Sequence, residues 1–587
     1  MNKTANMDTL VALSTSVAYL FSVFNTLLPD FWYSRGLEPH VYFEAAGVIV
    51  TFILIGKLLE ERAKGRASSA IKKLMGLQPK TVTIIQNGTL VEKPIELISI
   101  DDIVMVKPGE RIPVDGVIVK GESYVDESML SGEPTAVLKQ IKSEVFAGTI
   151  NQKGSFSFSA KKVGSDTVLA QIIKLVQEAQ GSKAPIQKLV DKIAAIFVPV
   201  VMVIALIAFV IWLIFGGENA VSQAFLALVT VLIIACPCAL GLATPTAIMV
   251  GVGKGAEQGI LIKDAESLET AKKINAVVLD KTGTITEGKP IVTKVVWLEG
   301  QNNKKNILVS LEQQSEHPLA DAVVNYFPFP QFVELSQFQS ITGKGASGVY
   351  ENETYFVGNK KLLKDNNIKL HGELLLEAEK LSSQSKTVVW FANSIESLAV
   401  IAIEDKIKET SKQAILNLKK EGIAVYMLTG DGVSTAQSVA DQLEIDDFKA
   451  EVLPHQKSTF IKELQSQGKV VAMVGDGIND SAALAQADLS IAMGKGSDIA
   501  MDVAKMTIIS SDLSKIAEAI KLSKQTVATI RQNLFWAFIY NLIGIPIAAG
   551  ILYPFTGFLL NPMIAGAAMA LSSVSVVSNS LRLKWKK

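Results

Sequence analysis

The feature that most constrains this chain is a set of six apolar stretches, near 10–28, 41–59, 193–215, 222–252, 534–552 and 562–577. Crossing a bilayer takes roughly 20 residues, and each stretch meets that length or comes close to it. Lipid offers the backbone no hydrogen bonds, so such stretches are expected as membrane helices that bond internally. They come as three pairs, separated by polar inserts at about 60–192 and 254–533. The short connections 216–221 and 553–561 carry no Lys or Arg, whereas Lys57, Arg62, Lys64, Arg66, Lys72 and Lys73 flank the first insert and the chain ends Arg-Leu-Lys-Trp-Lys-Lys. The excess of positive charge on one side predicts a multi-pass protein of the cell membrane, with both inserts and both termini in the cytoplasm.

Composition agrees with this. Hydrophobic residues make up 49% of the 587, charged residues 19%, and mean hydropathy is +0.32, more apolar than an ordinary soluble chain. Lys plus Arg and Asp plus Glu both number 57, and no basic tract with interleaved aromatics occurs, which argues against a nucleic-acid partner. The two cysteines, Cys236 and Cys238, flank Pro237 inside the fourth apolar stretch. Two residues so placed build no disulfide framework and raise a metal or redox role instead.

The first insert reads as short alternating strands (Thr81-Val-Thr-Ile-Ile, Ile103-Val-Met-Val, Gly116-Val-Ile-Val) divided by turns such as Pro108-Gly109, the pattern of a β-rich domain. The second alternates strand-like runs with helical ones and predicts a doubly wound α/β domain. Between about 291 and 399 the pattern changes, as for a domain inserted into it. The expected domains are therefore 8–60, the first two membrane helices; 61–180, β-rich; 181–255, helices three and four; 256–290 with 401–515, α/β; 291–400, the inserted α+β domain; and 530–581, helices five and six.

Asp280-Lys-Thr-Gly-Thr284 follows the apolar run 274–279 directly, and reacting groups in α/β sheets sit at the carboxyl ends of strands. Thr429-Gly-Asp431 and Gly475-Asp-Gly-Ile-Asn-Asp480 follow two further apolar runs, with Lys457 between them. Together these motifs resemble the P-type ATPases over essentially the whole chain. The resemblance implies a β-rich actuator domain, a Rossmann-like phosphorylation domain of the haloacid dehalogenase type and an inserted nucleotide-binding domain, with ATP and Mg²⁺ as cofactors. It makes Asp280 the phosphate acceptor. Lys457 is expected to offset developing phosphoryl charge, and Lys281, Thr282, Gly283, Thr429, Gly430, Asp431, Asn479 and Asp480 to line the site. Asp280, Thr282 and Asp476 are the expected surroundings of Mg²⁺, a hard cation that takes oxygen ligands. A related soluble phosphatase carries its general acid two residues after the nucleophile. Here that position is Thr282, which counts against a membrane-anchored phosphatase and favours a long-lived aspartyl-phosphate. Ser131-Gly-Glu133 is similar to the actuator loop of the family, with Glu133 positioning water for dephosphorylation.

No phosphate-binding loop of the Walker type is present. Ser315-Glu-His-Pro-Leu319 resembles the adenine-site signature of the heavy-metal branch, and with it Glu312, His317, Gly343, Gly345, Gly358 and Asn359 are implied to hold nucleotide. Cys236-Pro-Cys238 resembles the transport motif of the same branch: proline opens the helix and two thiols reach one ion. The segment 534–580 carries no Asp, Glu, Lys, Arg or His, and holds Tyr540-Asn541, Met569, Ser572 and Ser573. Soft ligands without added negative charge favour Cu(I), and these residues match the copper-exporting members, with Ag(I) and Zn(II) as the alternatives. Met7, Glu60 and Asp191 match residues of the family's ion entry. The resemblance further implies a cytoplasmic copper chaperone and membrane lipid as partners. It also implies a chain lacking the usual N-terminal metal-binding domain and first two membrane helices.

Overall fold

The computed structural model describes residues 7–586 apart from 34–38, 40, 45, 49, 52–53, 56, 59–60, 62–75, 77, 87, 129–135, 183, 237, 316, 342, 385, 476–479 and 495–503. The chain divides into two compact units, Met1–Lys272 with Lys521–Lys587, and Lys273–Ile520.

The first unit holds the membrane helices and a β-domain. Among the described residues, three helices are long and apolar enough to cross a membrane: Pro185–Phe215, Ala220–Glu257 and Pro562–Trp585. The helix Met7–Leu27 covers the first expected span, whereas the second, 41–59, lies only partly within the described residues. The fifth expected span occupies the C-terminal part of the long helix Ser514–Ala548, where Asn533, Tyr540, Asn541 and Pro546 dilute the apolar run. Val198, Val201, Val231–Ile234, Ile545, Ala548 and Ala565 bury against one another at the centre of this bundle. Gly544 is the contact that lets two helices close: a Cβ there would lie 2.6 Å from Ile234.

The β-domain is a six-stranded antiparallel sheet in the order Thr89–Pro94, Thr81–Gln86, Ile103–Val106, Phe156–Lys162, Asp115–Lys120, Glu144–Val145, with a smaller three-stranded sheet beside it. Alternation puts Val104, Val106, Ile118, Phe156 and Phe158 in one core. The buried Asp115 accepts hydrogen bonds from the N–H groups of Ala147 (2.8 Å) and Val168 (2.7 Å). It thereby ties the sheet to the helix Val168–Gly181.

In the second unit, six parallel strands run in the order Met506–Ile508, Leu489–Met493, Val471–Gly475, Ala276–Asp280, Ala424–Leu428, Asp447–Lys449. The central strands are buried on both faces, as near-continuous Val, Leu, Ala and Met runs dictate. A separate antiparallel sheet begins at Ile291–Trp297 and ends at Ser397–Glu404, with Ile291 opposite Glu404. It forms its own core around Phe391, Leu398, Ile401 and Leu311.

Candidate active site and ion pathway

Asp280 lies opposite Leu428, and Leu279 opposite Val474, in parallel register. Strands in such register finish at one edge, so Asp280, Thr429 and Gly475 meet there. Asp280, Lys457 and Asp480 are all buried. The ammonium of Lys457 donates to Oδ1 of Asp280 at 2.6 Å and to Oδ1 of Asp480 at 2.7 Å. Burial works against the charge on Lys457, but the two carboxylates outweigh it and hold its pKa above the ordinary lysine value. One cation thus bridges two buried carboxylates at the strand edge. Buried oxygens of this kind suit Mg²⁺, whose remaining expected ligand Asp476 lies, with Asn479, outside the described residues.

Lys281 is buried and pairs with the carboxylate of Asp431, which also accepts from the hydroxyl of Thr387 at 3.3 Å. Thr429 Oγ1 accepts from the N–H of Asp431 at 3.1 Å. Thr282 and Gly430 are exposed at this edge. Gly283 has φ +72° in the turn after the nucleophile, a conformation that a side chain would strain.

Three residues that sequence reasoning missed hold this turn. Lys408 Nζ donates to the carbonyls of Gly283 (2.6 Å) and Thr284 (2.8 Å). Asp405 accepts from Thr286 Oγ1 (2.5 Å) and the N–H of Gly288 (3.0 Å), and Ser411 Oγ donates to the carbonyl of Ile285 (2.7 Å). The available signal was the charged run Glu404-Asp405-Lys406-Ile407-Lys408 immediately after an apolar strand.

In the inserted domain, Glu312 is buried on the helix Lys305–Gln313, and burial pushes its carboxyl up to about 7. His317 caps the next helix by accepting from the N–H of Leu319 at 3.2 Å. Burial lowers the pKa of His317, and the nearby Asp431 opposes that. The charge of Asp431 therefore reaches both Lys281 and His317. Gly345 and Gly358 face each other across two strands. A Cβ on Gly345 would lie 2.0 Å from the Val357 carbonyl, and one on Gly358 would lie 2.1 Å from that of Lys344. Asn359 Nδ2 donates to the carbonyl of Gly343 at 2.9 Å, and its Oδ1 accepts from the N–H of Leu362 at 3.0 Å. These residues bring the two strands and the turn before them into close backbone approach.

In the membrane, the helix breaks after Ile234 and resumes at Cys238. Cys236 sits in the break, buried, its N–H bonded to Ile233 at 3.0 Å. Pro237 and the side chain of Cys238 lie outside the described residues. Asn541, Met569, Ser572 and Ser573 are all buried. Tyr540 is 45% exposed beside Trp536, so it stands apart from them. Asp191 is exposed. Glu60, Ser131 and Glu133, and the side chain of Met7, lie outside the described residues. A buried polar knot joins three helices further along: Asn533 Nδ2 donates to the carbonyl of Ala243 (3.2 Å) and to Ser580 Oγ (2.8 Å), while its Oδ1 accepts from Asn579 Nδ2 (2.8 Å).

A buried aspartate held by a lysine at a parallel-sheet edge, in a chain with membrane helices, is apparatus for phosphoryl transfer coupled to a membrane. Residues 274–488 match the haloacid dehalogenase-like hydrolases, and residues 76–177 match the actuator domain of P-type ATPases. The chain is 52% identical over 99% of its length to the probable copper-transporting ATPase PacS of Synechocystis sp., covering 79% of that protein. It is 48% identical to the probable copper-exporting P-type ATPase of Archaeoglobus fulgidus, over 99% of this chain and 71% of the relative. Among solved structures it resembles a zinc-transporting PIB-type ATPase in the E2.Pi state, with a TM-score of 0.55 and 29% identity, over 98% of this chain and 90% of the other. The chain belongs to the P-type ATPase family. It is a membrane-embedded metal-transporting ATPase, and its domains of known type are the actuator and the phosphorylation domain.

Proposed function

We propose that the protein exports Cu(I) across the cell membrane, driven by ATP through an aspartyl-phosphate on Asp280. The observation that carries the metal assignment is the ion pathway. A buried cysteine in a helix break adjoins helices whose buried polar groups are Asn541, Met569, Ser572 and Ser573, and no ionisable carboxylate lies in 534–580. Soft sulfur with neutral oxygen suits a monovalent soft ion, whereas a divalent ion in lipid calls for more negative charge. The names of the copper-transporting relatives support the same reading.

An Asp280 oxygen attacks the γ-phosphorus, the bond to the β-phosphate oxygen breaks, and ADP leaves with that electron pair. Lys457 pairs with the Asp280 carboxylate before attack and stabilises charge during it. Lys281, Asp431, Thr282, Thr429, Gly430 and Asn479 line the path of the phosphoryl group, and Asp480 orients Lys457. Mg²⁺ bound through Asp280, Thr282 and Asp476 would neutralise phosphate charge. Glu312, His317 and the Gly343–Asn359 wall take the adenine end of the nucleotide. Glu133 positions the water that later hydrolyses the aspartyl-phosphate. Cys236 and Cys238 with Asn541, Met569 and Ser573 hold the ion, and Tyr540 reaches them only after turning inward. Met7, Glu60 and Asp191 receive the ion at the cytoplasmic face, from a copper chaperone. Both termini and both inserts are cytoplasmic.

The test is ATPase activity of the purified, reduced chain titrated with Cu(I), Ag(I) and Zn(II). Cu(I) and Ag(I) stimulate turnover. Stimulation by Zn(II) with silence toward Cu(I) would overturn the metal assignment while leaving the ATPase reading intact.

A further inference from the structure

Asn533, buried in the helix Ser514–Ala548, ties together the three helices on which the candidate ion ligands stand. Its Nδ2 donates to the Ala243 carbonyl of the helix Cys238–Glu257 (3.2 Å) and to Ser580 Oγ of the helix Pro562–Arg582 (2.8 Å). Its Oδ1 accepts from Asn579 Nδ2 (2.8 Å), so both ends of the amide are engaged. Ser580, also buried, continues the network to the Val576 carbonyl (3.0 Å). Ala243 and Val576 belong to a buried apolar cluster with Leu240, Leu242 and Ala537. In such surroundings a polar group that loses its partner is costly.

The knot lies on the same side of the candidate ion ligands in all three helices. Gly251 meets Thr526 and Gly255 meets Leu522, so the helix Cys238–Glu257 runs antiparallel to Ser514–Ala548. Val576 packs with Ala239 and Ala243, and Leu583 with Val250, so the same helix runs parallel to Pro562–Arg582. In that arrangement Asn533 stands about two turns before Asn541, Ser580 about two turns after Ser572 and Ser573, and Ala243 about one and a half turns after Cys238. The backbone from Cys238 to Ala243 is also the piece least able to hold itself. The helix is interrupted before it, between Ile234 and Cys238, and Pro245 follows it, where one ladder bond is missing. A short piece of helix between two such weak points takes its height and rotation from its neighbours. The hydroxyls of Thr244 and Thr246, on either side of Pro245, are buried and make no hydrogen bond among the described residues, so they supply no anchor. The Asn533 amide does.

We propose that Asn533 is a positioning residue for the transported ion. By pinning Ala243 to Ser580 and Asn579, it fixes the height and rotation of the Cys238 segment against the segments that carry Asn541 and Met569, Ser572 and Ser573. It thereby sets the affinity for the ion without touching it. The inference rests on the reading of these residues as the ion's ligands. Interhelical hydrogen bonds in membranes are each worth about threefold in an equilibrium constant, so the three together bound the effect at roughly 20–30-fold.

The test is Cu(I) binding to the full, reduced chain in detergent, measured by competition with a chromogenic Cu(I) chelator. Beside it stand the Cu(I) concentration for half-maximal ATPase activity, turnover at saturating Cu(I), and phosphorylation from inorganic phosphate without metal. Asn533→Leu should weaken binding and raise the half-maximal Cu(I) concentration about 10-fold, and Ser580→Ala about threefold. Saturated turnover and phosphorylation from inorganic phosphate should stay near native in both. Thr529→Val removes a buried hydroxyl bonded within its own helix to the Gln525 carbonyl (2.9 Å), and should change neither binding nor activation. Unchanged Cu(I) affinity in Asn533→Leu, with lower turnover or a lower melting temperature, would make the knot merely structural and overturn the inference. An equal loss of affinity in Thr529→Val would overturn it too. If Asn533→Leu cannot be phosphorylated from inorganic phosphate, Ser580→Ala decides, and native affinity in that variant overturns the inference. A native chain that binds no Cu(I) would overturn the transport reading and this inference together, whereas native binding with unchanged variants overturns the inference alone.

Discussion

Glu312→Gln is the substitution whose effect can be worked furthest from the structure. The carboxyl is buried on the helix Lys305–Gln313, and burial moves its pKa from 4.5 to about 7. Below pH 4.5 it is neutral both folded and unfolded, so stability is unaffected. Between 4.5 and about 7 the unfolded chain releases the proton while the folded one retains it, and stability falls as pH rises. Above 7 the full penalty applies, roughly 3 kcal/mol at 1.36 kcal/mol per unit. For a unit of this size that is about 6–12 °C of melting temperature. Glutamine is neutral and nearly the same shape. The variant should therefore match the native chain at pH 5 and melt several degrees higher at pH 8, in the transition of the unit Lys273–Ile520. Thermal melts by circular dichroism of the detergent-solubilised chain at pH 5, 6, 7 and 8 give the comparison. An identical pH dependence in both proteins would refute the reasoning, because Glu312 would then be ionised at no cost.

Three further outcomes are expected. Asp280→Asn should abolish acid-stable phosphoenzyme from radiolabelled ATP, since an amide is a poor nucleophile; labelling at native level would remove Asp280 from the chemistry. Lys457→Met leaves Asp280 and Asp480 buried without their shared cation, so phosphorylation should slow about 10²–10³-fold and stability should drop by about 3–5 kcal/mol, with Lys457→Arg recovering part of both. Unchanged rapid-quench kinetics in Lys457→Met would show that another group supplies the charge. Cys236→Ser should eliminate Cu(I)-stimulated ATPase while leaving phosphorylation from inorganic phosphate, because that reverse step needs no bound ion; surviving Cu(I) stimulation would make Cys236 structural.

Where a signal is local, the sequence was readable. The strand ending at Asp280 announces itself as an apolar run followed by a charge, and the structure ends it at that residue. The sequence pattern changes near 291, and a strand of the separate antiparallel sheet begins at that residue. What escaped was long-range. Nothing near Asp280 in sequence reveals that Lys408 grips the carbonyls of Gly283 and Thr284, since the partners are 124 and 125 residues apart and one side of each bond is backbone. The Asn533 knot escaped for the same reason: a single polar residue in an apolar helix does not name its partners. Tyr540 and Asn541 are adjacent in sequence yet differ in exposure. Successive residues on a helix point about 100° apart, and only packing decides which faces inward.

The inserted domain leaves the phosphorylation domain and returns to it on neighbouring strands, with Ile291 opposite Glu404 and Thr286 bridged to Ile407. Its two ends are thus only a few ångströms apart, the spacing of a paired ladder. A module attached in this manner is separable: joining its ends with a short turn closes a loop the fold has already closed, at little cost in chain entropy. The attachment is also a ribbon of two hydrogen-bonded chains. Unlike a single flexible linker, it resists stretching and sideways slip and yields most easily to twist. Reorientation of the module is thereby reduced to one soft rotation about the ribbon axis.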